Sequence, residues 1–92
     1  MSIQTLHILN KPPEHPRFRQ CLAMLGQHDV LLLTEDAVLA LASASLPPGT
    51  SCQVLAADLQ ARGIRPDAGT AQVIDYSDMV ALTIHARRVI SW

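Results

Sequence analysis

Apolar residues fall along this chain in short blocks separated by polar or proline-rich breaks, and the type of block alternates. "TLHILN" (5–10) is a brief apolar run that stops at "KPPEHP". Three prolines there forbid a strand ladder, and the last of them, Pro16, suits the first turn of a helix. Phe18, Leu22 and Leu25 then recur at helical spacing, and Gly26 stands where a helix C-terminus favours glycine. "VLLLT" (30–34) is continuously apolar, which predicts a central parallel strand covered on both faces.

The alternation continues to the end. Thr34, Glu35 and Asp36 offer a cap for a short helix over "AVLALASA", which stops before "LPPGT". "CQVLAA" (52–57) predicts a third strand, Asp58 a second cap, and "LQARG" a brief helix closed by Gly63. After a turn at "RPDAGT", "AQVID" (71–75) reads as a fourth strand. In "DMVALTIHARR", Met79, Val80, Thr83, Ile84 and Arg87 trace a stripe of helical period with Arg87 at its exposed end, and "VISW" predicts a fifth strand. Short loops between alternating strands and helices predict one α/β domain over residues 1–92. Its expected form is three layers, helix–sheet–helix, around a mainly parallel four- to five-stranded sheet with right-handed crossovers.

Composition adds one thing the pattern does not show. The 92 residues are 49% hydrophobic and only 16% charged, little polar cover for a small domain, so part of the apolar surface is expected to lie against another subunit. A net charge of −1 supplies no field for sequence-independent phosphate binding, so any RNA contact is expected only indirectly, through a partner. The first residues show no leader pattern and no run reaches membrane-spanning length, which predicts a cytoplasmic protein with no membrane contact.

The search for chemistry excludes more than it finds. Cys21 and Cys52 are far apart without C-x-x-C spacing, and are expected as free thiols in a reducing compartment. His7, His15, His28 and His85 fall in separate segments, so neither a metal nor a cofactor is expected. No glycine-rich phosphate loop follows the first strand, and no serine sits in a G-x-S-x-G elbow. Parallel sheets gather ligands beyond the carboxyl ends of their strands. The residues that reach that edge are Asn10, Lys11, Thr34, Glu35, Asp36, Asp58, Asp75, Tyr76 and Ser77, with Asp36 and Asp58 assigned as helix caps. A phospho-receiver built on these aspartates lacks the acidic pair after the first strand, where Asn10 and Lys11 stand.

Cys21 is the remaining candidate. It lies at the margin of the Phe18/Leu22/Leu25 stripe with Arg17 one turn back, a placement in which the guanidinium favours a thiolate. The competing reading is apolar filler, since free cysteine is among the most buried residue types. Cys52, at the start of its strand, is expected at the opposite, amino edge of the sheet.

"LHILNKPP", "LLLTEDAVLAL", "VLAADLQARGI" (54–64) and above all "VIDYSDMVALTIHARRVISW" (73–92) resemble the TusB/DsrH family of small sulfur-relay subunits. The most specific parts are Asp58–Gly63 and the closing pattern of Ile74, Asp75, Tyr76, Ser77, Asp78, Leu82, Thr83 and Trp92. Ala37 departs from it, replacing a glycine common in the family. The resemblance implies a DsrEFH-like fold and a non-autonomous subunit of a heterohexamer with TusC-like and TusD-like partners. Such an assembly takes persulfide sulfur from a TusA-like donor and passes it to a TusE-like acceptor, toward 2-thiolation of the wobble uridine in tRNA. The similar DsrEFH complex serves dissimilatory sulfur oxidation. The main sulfur-carrying cysteine of the family belongs to the TusD-like partner, while Cys21 falls where some members carry an accessory persulfide cysteine. A purely architectural subunit without transfer chemistry is the alternative.

Overall fold

The computed structural model describes residues 3–65 and 71–92; the turn expected over 66–70 lies outside them. Among the described residues the strands are β1 (Ile3–Leu9), β2 (Val30–Leu33), β3 (Cys52–Leu55), β4 (Ala71–Ile74) and β5 (Ala86–Ser91). Helices α1 (Pro16–Met24), α2 (Leu39–Ala42), α3 (Ala56–Ala61) and α4 (Tyr76–His85) alternate with them, and a 3-10 turn at Glu35–Val38 leads into α2. Every strand pair is parallel and the order across the sheet is β4-β3-β2-β1-β5. This is the expected α/β architecture with all five strands in one sheet.

The strand order dictates how the helices are shared out. From β1 to β4 the chain steps one strand at a time in a single direction, so right-handed crossovers put α1, α2 and α3 on the same face. The step from β4 to β5 returns across the whole sheet, and α4 lies on the other face. The first face buries Leu9, Leu31, Leu33 and Val54 beneath Phe18, Cys21, Val38 and Leu59. The second buries Leu6, Leu32 and Ile74, with Ile8, Val30 and Ala86 beside them and Met79 and Leu82 of α4 packed over them. Strand β2 lies mid-sheet, so Leu31 and Leu33 fill one layer while Leu32 fills the other, which is why "VLLL" shows no alternation.

The local signals held in part. Pro16 is the first residue of α1, and His15 caps it through Nδ1, which accepts the Arg17 N–H at 3.0 Å. Gly63 takes a φ of +64° after α3. There the Ile64 and Gly63 N–H groups donate to the carbonyls of Leu59 and Gln60, the Schellman arrangement. Asp75 caps α4 in a reciprocal box with Asp78, each carboxylate accepting the other residue's N–H. Asp75→Ala is therefore expected to cost about 1 kcal/mol and to speed amide exchange in the first turn of α4, measured by hydrogen exchange.

Other boundaries moved. The last helix runs 76–85, not 78–88, and Arg87 and Arg88 belong to β5. The β1 edge captures them, because Arg88 pairs in register with Thr5 and donates to its hydroxyl. Asp58 is not a cap. It lies inside the first turn of α3, and its Oδ2 accepts the Glu35 N–H at 2.8 Å. Asp36 caps nothing either; it sits within the 3-10 turn and is paired with Arg62 at 3.0 Å. Local spacing predicts caps for both, whereas the closest contact each carboxylate makes is with a residue more than twenty positions away.

Candidate functional site

The parallel sheet brings the carboxyl ends of β1 to β4 to one edge, as the sequence predicts for a ligand-gathering surface. What stands there is bound to itself. Lys11 Nζ donates to Asn10 Oδ1 and to the Trp92 carbonyl, both at 2.6 Å, tying the end of β1 to the end of β5. Thr34 reaches back to the Leu9 carbonyl through both its N–H and its hydroxyl. Glu35 adopts φ +49°, the left-handed region that a side chain rarely enters, and the Asp58 carboxylate holds its N–H in that turn. Arg62 in turn spans Asp36 and Asp58. The acidic residues of this edge thus form a scaffold of turns, and no group of three or more metal-ligating side chains occurs among the described residues.

Cys21 lies elsewhere, on the inner side of α1. It is 0% exposed in the cluster formed by Phe18, Leu31, Leu33 and Val38. Burial without a charged partner pushes its thiol up to about 12, because a thiolate there would lose its water. At neutral pH the thiol is therefore held in its protonated, unreactive form. The expected influence of Arg17 is not realised: Arg17 is exposed, and burial is the sole cause of the shift. An open groove of about 420 Å³ runs along the outer side of α1, lined by Glu14, His15, Arg19, Gln20 and Ala23, but Cys21 is not part of it. Cys52 is also buried, with its thiol shifted upward by desolvation. It lines a cleft of about 250 Å³ with Asp29, Ser51, Gln53 and Gln72 at the amino edge, as its strand position predicts.

The most specific polar arrangement escaped the sequence reading. His7, 1% exposed in the middle of β1, stands between Asp29 and Trp92. Its Nε2 is 2.9 Å from Asp29 Oδ2, and the Trp92 Nε1–H donates to its Nδ1 at 3.1 Å. An indole nitrogen can only donate, so His7 Nδ1 must accept, and the ring proton sits on Nε2 and points to Asp29. Asp29 also accepts the N–H groups of Gly26 at 2.8 Å and Thr5 at 3.2 Å. Burial pushes the Asp29 carboxyl up, but these hydrogen bonds, that of His7 foremost, outweigh it and hold it below the ordinary 3.8. The signal was present: a histidine inside an apolar strand must be hydrogen-bonded, and Asp29 directly precedes the neighbouring strand.

Fold and edge together define a parallel α/β domain whose polar groups stabilise turns and termini and whose Cys21 thiol is sealed. The chain belongs to the DsrH-like protein family, whose model matches residues 11–89. It is similar to the Protein TusB of Enterobacter sp., 34% identical over 95% of this chain and 99% of that protein. It is also similar to the Protein TusB of Photorhabdus laumondii, 30% identical over the same shares, and to that of Pectobacterium parmentieri at 28%. No helix among the described residues is long and apolar enough to cross a membrane.

Proposed function

We propose that this chain is a cytoplasmic subunit of a TusBCD-like sulfurtransferase assembly that relays persulfide sulfur toward 2-thiolation of the wobble uridine in tRNA. The likeness to TusB proteins over nearly the whole chain supports this reading. TusC-like and TusD-like subunits are its partners, a TusA-like protein supplies sulfur and a TusE-like protein removes it, and tRNA is met only through the assembly. Within it the chain holds its partners in register rather than carrying sulfur. The observation behind that role is the complete burial of Cys21, with its thiol pushed up to about 12.

The accessory persulfide role at Cys21 makes an opposite demand. Transfer requires a thiolate to attack the outer sulfur of a donor persulfide and release the donor's thiolate, so α1 must lift from the sheet first. The two roles separate in one experiment. The co-purified assembly is incubated with a persulfide donor and each chain is weighed after rapid alkylation. No added sulfur on Cys21, slow alkylation of Cys21, and full tRNA thiolation by a Cys21→Ala assembly are expected. One extra sulfur on Cys21 would put it in the relay and end the architectural role. Failure of the chain to co-purify with TusC-like or TusD-like proteins would remove the assembly itself.

A further inference from the structure

His15, His28 and His85 reach solvent, whereas His7 is buried and both its ring nitrogens are engaged. They are engaged in opposite senses. Nε2 donates its proton to Asp29, while Nδ1 accepts the indole N–H of Trp92. The first contact strengthens when the ring takes a second proton, because an imidazolium then faces a carboxylate at 2.9 Å. The second cannot survive it, since a protonated Nδ1 and an indole nitrogen are both donors.

The surroundings decide which side yields. Asp29 is fixed in place by the N–H groups of Gly26 and Thr5. On the β5 side, Arg88 donates to the Thr5 hydroxyl, and Lys11 is committed to Asn10 and the Trp92 carbonyl. Strand β2 supplies apolar Leu31 and Leu33, and α1 turns Phe18 and Cys21 inward while Arg17 and Arg19 stay exposed. Asp29 is therefore the charge that meets the ring, and it draws an imidazolium toward itself. Trp92 is held differently. Its main chain is pinned by the bond of its N–H to the Ile8 carbonyl at 2.8 Å and by Lys11, but its half-buried ring is tied through the His7 Nδ1. The ring can leave without the strand, and water can take its place.

We propose that His7 is a proton-operated latch on the Trp92 side chain: a proton from solvent bound at Nδ1 tightens His7 on Asp29 and releases the indole, while β5 stays paired with β1. The latch goes beyond the sulfur-relay reading and does not depend on it.

Trp92 is the sole tryptophan, so its indole N–H resonance and its fluorescence each report one site. The full chain is titrated between about pH 8 and 5, the interval in which imidazoles rather than carboxylates change charge, with the His7 ring nitrogens and the indole N–H followed by NMR. At the midpoint of His7 protonation the indole N–H is expected to lose its hydrogen bond and exchange faster with water, and the emission to shift to the red. The amides of β1 and β5 should stay protected. Linkage adds two shifts of opposite sign. Trp92→Phe removes the contact that favours the neutral ring, so His7 should take up its proton at higher pH. Asp29→Asn removes the charge that favours the imidazolium, so uptake should move to lower pH. A His7 that protonates while the indole bond persists overturns the proposal, as does one that stays neutral until the chain unfolds. So does a Trp92→Phe midpoint that is unchanged or lowered. Failure to co-purify with other subunits leaves these readouts intact, so the two readings fail separately.

Discussion

Asp29→Ala is expected to destabilise the chain by about 3 kcal/mol, measured by denaturant unfolding at neutral pH. Three donors aim at this carboxylate: the His7 ring, the Gly26 N–H and the Thr5 N–H. Water can replace the acceptor at exposed Gly26, but His7 and Thr5 are each 1% exposed and would be left unsatisfied. That asymmetry sets the size of the loss, because an unpaired buried donor costs more than the hydrogen bond contributed. Asp29→Asn should cost less, since an amide oxygen at the Oδ2 position still serves two of the three donors.

The same carboxylate gives a pH dependence with a definite sign. Its folded pKa lies below the ordinary 3.8, so the unfolded chain binds the proton first as pH falls. The stabilisation is therefore complete above the ordinary carboxylate range and is lost as pH drops through about 4 toward the lowered folded value. Stability measured from pH 6 downward should fall more steeply for the parent chain than for Asp29→Asn. Equal slopes would show that the Asp29 network contributes nothing to acid unfolding.

Phe18→Ala is expected to cost about 3–5 kcal/mol and to lower the melting temperature by roughly 15 °C or more. Phe18 is 3% exposed in the same apolar layer as Cys21, and it is the large side chain that docks α1 on the sheet. A domain of this size has only about 5–15 kcal/mol in total, so a large fraction of its stability is at stake. The functional consequence is specific. With α1 loosened, Cys21 should react with an alkylating reagent many times faster, although Cys21 itself is unchanged. A variant that melts lower yet keeps Cys21 protected would mean that the thiol is sealed by the sheet rather than by the seating of α1.

These two experiments bear on the sulfur-relay reading from opposite sides. The first tests the polar network that fastens Trp92 and β5 to the centre of the sheet, through His7, the Ile8 carbonyl and Lys11. The second tests whether the only cysteine on α1 is available to persulfide chemistry in the folded chain. If α1 stays seated in the assembly, sulfur passes this subunit by and its contribution is the surface it offers.

Much of this protein was legible in its residues. Strand and helix alternation, the unbroken "VLLL", Pro16 at a helix start and Gly63 after a helix end were local matters, and backbone sterics and hydrophobic period decided them. The family pattern was legible too, from "LHILNKPP" to Trp92. Only the tertiary structure decided the partners. Asp58 and Asp36 were read as caps because a carboxylate before a short apolar run usually is one; the fold gave them Glu35 and Arg62 instead. Burial decided Cys21 in the same way: a helical wheel places it at a margin, but the sheet packed against that margin leaves it no water. His7, Asp29 and Trp92 became one network only because parallel pairing sets β2 and β5 on either side of β1. Propensity and period act within a few residues, whereas hydrogen-bond partnership and desolvation belong to groups that only chain closure brings together.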